Sequence, residues 1–278
     1  MVVFFMLVGA VGYAASLYLG SPAYLFVSLA FAVGMNVYSY WFSDRQVLRM
    51  TNAHPASREQ YFDFYTVAEN MAITAGIQMP KLYVIDDSAP NAFATGRNQK
   101  HAVVCATTGI LSLLTRAELE GVIAHEMSHI RNKDMLVMTV AVVLAGFLAT
   151  LADLFFRVSM WGGGGGDRDN KGGLLFVLAI VGVVLAPIAA QLIQLAISRR
   201  REYLADASGA LLSRHPEALA SALGKIGSYA SPMQSASTAT AHLFISNPFG
   251  SEKASWFTKL FATHPPIPER IKALTGHY

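Results

Sequence analysis

The segment His125-Glu126-Met127-Ser128-His129 has the form H-E-x-x-H, a spacing that suits a zinc site on a helix. Histidines four residues apart project from one helix face a single turn apart, so both imidazoles can reach the same Zn²⁺. The intervening glutamate can take a proton from an attacking water and return it to a leaving amine. The pattern therefore indicates a zinc-dependent peptide hydrolase. The alternative is a polar helix face with two ordinary histidines.

Long apolar blocks indicate that the chain crosses a membrane. Charged residues make up 14% of its 278 residues, against about 25% in ordinary globular proteins. Residues 2–19, 23–42, 135–152 and 172–198 contain no charge and number 18, 20, 18 and 27. Since about 20 apolar residues span a bilayer, each block is a predicted transmembrane helix. A signal peptide is the alternative for the first block, and buried helices of a soluble core are the alternative for the last two.

The placement of positive charge predicts the orientation of these helices. Arginines follow the second and fourth blocks, whereas the loop after the first block has no charge: Arg45, Arg49, Arg199, Arg200 and Arg201. Since Lys and Arg concentrate on the cytoplasmic side, the segment between the second and third blocks is expected there. The net charge of +3 gives no indication of nucleic-acid binding. The single Cys105 fits a reducing compartment and is interpreted as a small buried strand residue.

A third zinc ligand is needed, because catalytic zinc usually has three protein ligands and one open position. Glu202 is the first acidic residue after the fourth apolar block, and Asp206 follows one helical turn later. If the third and fourth apolar blocks are antiparallel neighbours, the segment after the fourth block lies beside the H-E-x-x-H helix, which precedes the third block. Glu202 is therefore the predicted third ligand. Asp206 is predicted to accept a hydrogen bond from the ring N–H of a ligand histidine on the side away from the metal. A surface ion pair for Glu202 and an exposed helix position for Asp206 are the alternatives.

The segments outside the apolar blocks predict helices around a small sheet. Capping boxes at residues 57–60 and 115–118 predict helix starts, and the second of these helices carries H-E-x-x-H. Residues 81–86 and 101–107 are predicted strands. The segment 91–96 or the second of these strands could offer a sheet edge to an extended substrate, although a plain hairpin is an equal alternative.

Two residues near the C-terminus are further candidates. His264 precedes Pro265-Pro266, and Arg270 lies in the short helix that follows. Both could stabilise the oxyanion of a tetrahedral intermediate. The spacing fits a structural role equally well. His264 could cap a turn, and Arg270 could be a solvated helix residue.

With these motifs, the chain resembles HtpX-type membrane zinc metallopeptidases, gluzincins related to the CAAX prenyl proteases. The resemblance covers almost the whole chain and depends on separated motifs in order. These are two N-terminal apolar blocks, PNAFATGR at 90–97, HEMSHIRNKD at 125–134, a second pair of apolar blocks, SRRREYLADASGA at 198–210, and THPP at 263–266 followed by Arg270.

The resemblance implies roles for individual residues. His125, His129 and Glu202 would hold one Zn²⁺, with Glu126 as the general base. His264 and Arg270 would lie near the active site, and Asn91 near the substrate cleft.

The predicted architecture is mainly α with a small β-sheet, four transmembrane helices and a cytoplasmic zincin-like protease domain. Residues 1–43 and 135–198 would form two transmembrane hairpins, with a glycine-rich extracytoplasmic loop in the second. Residues 44–134 and 199–278 would form the protease domain.

The resemblance also implies a function and a place in the cell. The chain would cleave misfolded or damaged membrane proteins on the cytoplasmic side of a bacterial or archaeal inner membrane, surrounded by the lipid bilayer. Two alternatives remain: a non-catalytic membrane adaptor that binds zinc, and a peptidase acting on prenylated C-terminal peptides.

Overall fold

The computed structural model describes residues 2–140, 143–144, 199–237, 240–249 and 265–276. Most of the third predicted transmembrane block, all of the fourth and the glycine run between them lie outside the described residues. His264 lies outside them as well.

The N-terminal hairpin consists of two apolar helices, α1 (Val2–Leu19) and α2 (Ala23–Met50). The helices approach closely at Gly12, where a Cβ atom would lie 2.4 Å from the side chain of Ser28. Small residues at such contacts are typical of helix pairs in membranes. Among the described residues, α2 is the one helix long and apolar enough to cross a bilayer. The prediction of four spans therefore stays a prediction.

The hairpin also contacts the protease part of the chain. Helix α2 continues past the predicted end at residue 42, and its last turns bury Val47 beneath the sheet. The described beginning of the third apolar block is helical, and its Val140 and Leu144 pack against Phe4 and Ala32 of the hairpin. These contacts fix the first two helices against the segment that follows the H-E-x-x-H helix.

A four-stranded mixed sheet lies at the centre of the described protease residues. Its strands are ordered β1-β2-β4-β3, and β2 and β4 are parallel whereas both outer pairs are antiparallel. Their bounds are β1 (His54–Pro55), β2 (Lys81–Ile85), β3 (Ala92–Thr95) and β4 (Val103–Thr107).

One predicted strand boundary needs correction, and one further strand was not predicted as such. The segment after Asn91 is itself a strand, β3, at the edge of the sheet. Strand β4 begins at Val103 rather than at residue 101, because Gln99–His101 forms a 3₁₀ turn. The side chain of Asn98 closes that turn by accepting a hydrogen bond from the backbone N–H of His101 at 3.1 Å.

Both faces of β3 and β4 are covered, so these two strands are buried at every position. Val84 and Val104 face the helical core, whereas Phe93 and Cys105 face a second cluster that includes Phe244. Cys105 is a buried strand residue, as predicted, and burial raises the pKa of its thiol.

Six further helices surround the sheet in the described residues. They are α3 (Phe62–Ala75), α4 (Thr108–Leu113), α5 (Arg116–Asn132), α6 (Arg199–Ser213), α7 (Pro216–Ser228) and α8 (Ile267–Thr275).

The two predicted capping boxes had different outcomes. The box of α5 is confirmed: Thr115 Oγ1 accepts from the Glu118 N–H, and Glu118 Oε2 accepts from the Thr115 N–H at 2.8 Å. The start predicted for α3 at residues 57–60 is wrong. Ser57 Oγ accepts the backbone N–H of Gln60 and closes a separate turn, so α3 begins only at Phe62.

Glu118 gives a testable prediction about stability. Burial alone would raise the pKa of this carboxyl, but hydrogen bonds from Lys225, Ser221 and Thr115 lower it from 4.5 to about 2. The charged form therefore stabilises the fold above the ordinary pKa, and this contribution is lost as pH falls from about 4.5 towards 2. Glu118→Gln is expected to lower the melting temperature at neutral pH, with a difference from wild type that shrinks in this acidic range. Thermal denaturation in detergent across pH measures it.

The control is Glu69→Gln, which removes an exposed carboxylate paired with Arg58. Exposed pairs contribute little, so its melting temperature should follow wild type at every pH. If the melting temperature of Glu118→Gln stayed below that of wild type by the same amount across the acidic range, the shape of the side chain, and not its charge, would matter at this position.

Candidate metal centre

Helix α5 is buried along the half that carries H-E-x-x-H. Every residue from Gly121 to Ile130 is buried, and the helix packs against α3, α6 and α7. The side chains of His125 and His129 are 1% and 6% exposed. The interpretation as two ordinary surface histidines is therefore excluded.

Three donor groups meet on one side of α5. His125, His129 and Glu202 each offer a ligand atom, and these atoms all lie within 4.8 Å of one another. Nε2 of His125 lies 3.8 Å from Glu202 Oε2, and Nε2 of His129 lies 3.5 Å from Oε1. Tetrahedral ligands at about 2.0–2.2 Å from zinc lie roughly 3.4 Å apart, so the donor types and separations fit a zinc ion.

The opposite ring nitrogens of both histidines face aspartates. Nδ1 of His125 lies 2.9 Å from Asp206 Oδ1, a short polar contact without good hydrogen-bond alignment. Nδ1 of His129 lies 3.3 Å from Asp134 Oδ2. A carboxylate on the far nitrogen fixes the ring tautomer and leaves Nε2 free to bind a metal.

Asp134 was not among the residues predicted from the sequence. Helix α5 ends at Asn132, and Lys133 takes a left-handed conformation with φ of 62°, after which Asp134 lies beside His129. Arg201 approaches the same carboxylate, at 3.8 Å from Oδ1. The available sequence signal was an acidic residue just past the end of the motif helix.

Glu202 and Asp206 are both 2% exposed, which excludes the surface interpretations of these residues. They lie one turn apart on α6. Asp206 accepts two hydrogen bonds from the buried Arg270, from Nε at 2.8 Å and from Nη2 at 2.7 Å. Burial would raise the pKa of Asp206, but Arg270 and His125 lower it to about 2. Asp206 is thus a carboxylate shared between a histidine and an arginine.

The acidic residues of the site also act on His129. Burial opposes its ionisation, but the hydrogen bond to Asp134 and the charges of Glu202 and Glu126 raise its pKa to about 9. Glu126 itself is 2% exposed. The site therefore carries concentrated negative potential, which favours a bound cation.

Gly209 sets the approach of α6 to α5. A Cβ atom there would lie 2.9 Å from the backbone nitrogen of His125 and 3.0 Å from its Cα. We expect Gly209→Ala to push the helices apart, move Glu202 away from the histidines and lower both zinc content and melting temperature. Elemental analysis and thermal denaturation of the purified variant measure these effects.

Gly224→Ala is the matched control, because this helical glycine meets only the end of Ile271 at 3.9 Å. Alanine is the better helix former by about 1 kcal/mol, so this change should be neutral or stabilising. Equal behaviour of the two variants would show that the α5–α6 contact does not depend on Gly209.

The other predicted site residues lie as follows. Asn91 is buried, its side-chain NH₂ donates to the carbonyl of Ser246 at 3.0 Å, and its Oδ1 accepts from the Ser246 N–H at 3.2 Å. Arg270 is fully buried, and its Nη1 donates to the carbonyl of Ile245. These bonds use three of the five N–H groups of Arg270, and an oxyanion contact would need one of the other two. That role stays a prediction, as does substrate contact at Asn91.

Comparison with known proteins decides the family. The model of peptidase family M48 matches residues 60–277, which include every donor described above. The chain belongs to peptidase family M48. Members of this family are metallopeptidases, so the M48 assignment favours the enzyme over the zinc-binding adaptor.

Relatives from bacteria and archaea agree with the assignment. The protease HtpX homologue of Caldanaerobacter subterraneus subsp. tengcongensis is 49% identical over 280 residues, which covers 98% of this chain and 91% of the relative. That of Pyrococcus furiosus is 48% identical over 258 residues, covering 92% and 87%. The resemblance to HtpX-type peptidases is confirmed.

A solved structure supports the fold. The crystal structure of S. mikatae Ste24p matches 98% of this chain with a TM-score of 0.53 and 16% sequence identity. The chain spans only 62% of the length of Ste24p. The family and the HtpX relatives show that the chain is a membrane metalloprotease, whose substrates are polypeptides. Its fold is mainly helical with a small mixed sheet.

Proposed function

We propose that the chain is a zinc-dependent endopeptidase that degrades misfolded or damaged membrane proteins. The observation that carries this proposal is the meeting of His125, His129 and Glu202 in a buried group next to Glu126. The group lies on a helix whose end leads directly into an apolar block.

Zinc is the proposed metal, and His125, His129 and Glu202 are its proposed ligands. Two imidazoles and one carboxylate are a common catalytic set, and they leave one coordination position for water or substrate. Asp206 and Asp134 orient the two imidazoles through their Nδ1 atoms. Zinc bound here would supply Lewis-acid polarisation of the scissile carbonyl and acidification of a water.

Glu126 is the proposed general base and acid. It lies beside a ligand histidine on the buried helix face, and its charge acts on both His129 and Arg270. It takes a proton from the attacking water and then delivers that proton to the nitrogen of the leaving amine. His264 and Arg270 remain candidates for holding the oxyanion.

Strand β3 is a candidate for substrate pairing because it is the edge strand of the sheet and packs against α5. Part of this edge is already occupied, since Ala92 accepts a hydrogen bond from the Ile245 N–H at 2.9 Å. Asn91 would act near this substrate path by holding the backbone at Ser246.

The proposed topology has four transmembrane helices, in hairpins at residues 1–43 and 135–198. Residues 44–134 and 199–278 form the cytoplasmic protease domain of an inner-membrane protein. The basic residues that follow the second and fourth apolar blocks support this orientation. Membrane proteins that lose their structure would then reach the site from the same bilayer.

The test is cleavage by the full-length, zinc-loaded chain in nanodiscs. Three substrates are compared: a destabilised membrane protein, its stable parent, and a prenylated C-terminal peptide, each also incubated with the Glu126→Gln variant. The expected result is preferential cleavage of the destabilised protein at internal bonds. Cleavage confined to the prenylated peptide would replace this proposal with the prenyl-peptidase alternative.

A further inference from the structure

A basic pocket lies where the end of α5 meets the turn before β4. Its volume is about 390 Å³, and it is lined by residues 97–100 on one side and by Lys133, Met135 and Leu136 on the other. Gln99 Nε2 donates to the carbonyl of Arg131 at 3.4 Å, which ties the two walls together.

The lining combines positive charge with an apolar floor. Arg97, Lys100 and Lys133 are basic, Met135 and Leu136 are apolar, and the lining has no acidic side chain. Lys100 and Lys133 are exposed, and neither has an ion-pair partner among the residues that the structure describes. Such a combination is complementary to a phosphate group attached to an acyl chain.

Contacts of Arg97 place this pocket at the level of the membrane boundary. Its Nη1 donates to the carbonyl of Trp41 at 2.9 Å, and its guanidinium carbon lies 4.8 Å from the Trp41 ring centroid. Trp41 lies at the end of the uncharged part of α2, one turn before Arg45. Tryptophan followed by arginine is typical of the cytoplasmic membrane–water interface.

We propose that this pocket binds one anionic phospholipid. Lys100 and Lys133 hold the phosphodiester, and an acyl chain lies against Met135 and Leu136. This placement rests on the topology proposed above.

The pocket is connected to the metal group by a short path. Lys133 is the left-handed residue that ends α5, and the next residue, Asp134, contacts His129. A headgroup held by Lys133 therefore restrains the turn that positions Asp134. The lipid is thus a structural component of the turn next to the active site.

The experiment measures lipid retention directly, so it does not depend on proteolysis. The full-length chain is released from vesicles of phosphatidylglycerol and phosphatidylcholine, and retained lipid is counted by native mass spectrometry. Wild type is expected to retain one phosphatidylglycerol in preference to phosphatidylcholine. Lys100→Gln/Lys133→Gln should weaken retention at least about tenfold, since each basic group at an anionic surface contributes to binding.

The control Arg214→Gln/Lys272→Gln removes the same charge from exposed positions outside the pocket and should retain lipid like wild type. The single change Lys100→Glu, at an exposed side chain, tests the same point with little risk to folding. Equal retention by wild type and the pocket variants would overturn the proposal. Displacement by soluble glycerol phosphate at equal concentration would also overturn it, in favour of a free phosphate ligand. Because lipid retention is measured without proteolysis, the lipid proposal and the enzyme proposal can fail independently.

Discussion

Glu126→Gln is expected to leave zinc bound and to reduce peptide cleavage by about 100- to 10,000-fold, the range for loss of a general acid–base group. Glutamine has nearly the same shape as glutamate, but it cannot accept the proton of the attacking water. Because Glu126 is not one of the three convergent donors, the metal group stays complete. The change therefore separates proton transfer from metal binding.

Zinc content by elemental analysis and the cleavage rate of an unfolded substrate are the two measurements. Glu120→Gln is the matched control, because it makes the same substitution on the same helix, at a partly exposed residue that pairs with Arg116. The control should cleave at the wild-type rate. Native-rate cleavage by Glu126→Gln itself would mean that another group accepts the proton.

Glu202→Ala is expected to abolish both zinc retention and cleavage. Only two imidazoles remain, and removal of this carboxylate also leaves a buried cavity beside them. Asp206→Asn should have a smaller effect of the same kind. It keeps all three donors but replaces the carboxylate that faces His125 with a neutral amide. Such partners typically contribute about 10- to 100-fold in metal affinity.

Zinc titration of both variants with a competing chelator gives the order of affinities. Glu59→Ala, in the exposed loop before α3, is the control and should bind zinc like wild type. Full zinc retention by Glu202→Ala would remove this residue from the ligand set. Equal losses in Glu202→Ala and Asp206→Asn would show that Asp206 contributes as much as a direct ligand.

Local sequence features predicted the catalytic helix well. The capping box at Thr115 and Glu118 depends on groups only three residues apart. His125 and His129 lie on the same helix face because of the helical repeat alone. The same local reasoning was wrong for the helix start at residues 57–60. There the serine forms its hydrogen bond in a separate turn, and α3 begins after that turn, at Phe62.

Strand β3 shows why long-range packing could not be inferred from pattern. Its segment, Ala92–Thr95, has little alternation of polar and apolar residues, since both faces of the sheet are covered. Burial on two faces removes the period of two by which strands are normally recognised. The partners of Asn91 lie far along the chain at Ser246, where no local signal points to them.

The sequence by itself determined which groups can do the chemistry: two histidines on one helix face, a glutamate between them, and apolar blocks that place them near a membrane. The tertiary structure decided how these groups are held. Asp134 reaches His129 through a left-handed turn, and Arg270 joins Asp206 from the C-terminal helix. Gly209 lets α6 approach His125 closely enough for Glu202 to complete the group. Helical periodicity is a local property, whereas these contacts depend on packing between segments distant in sequence.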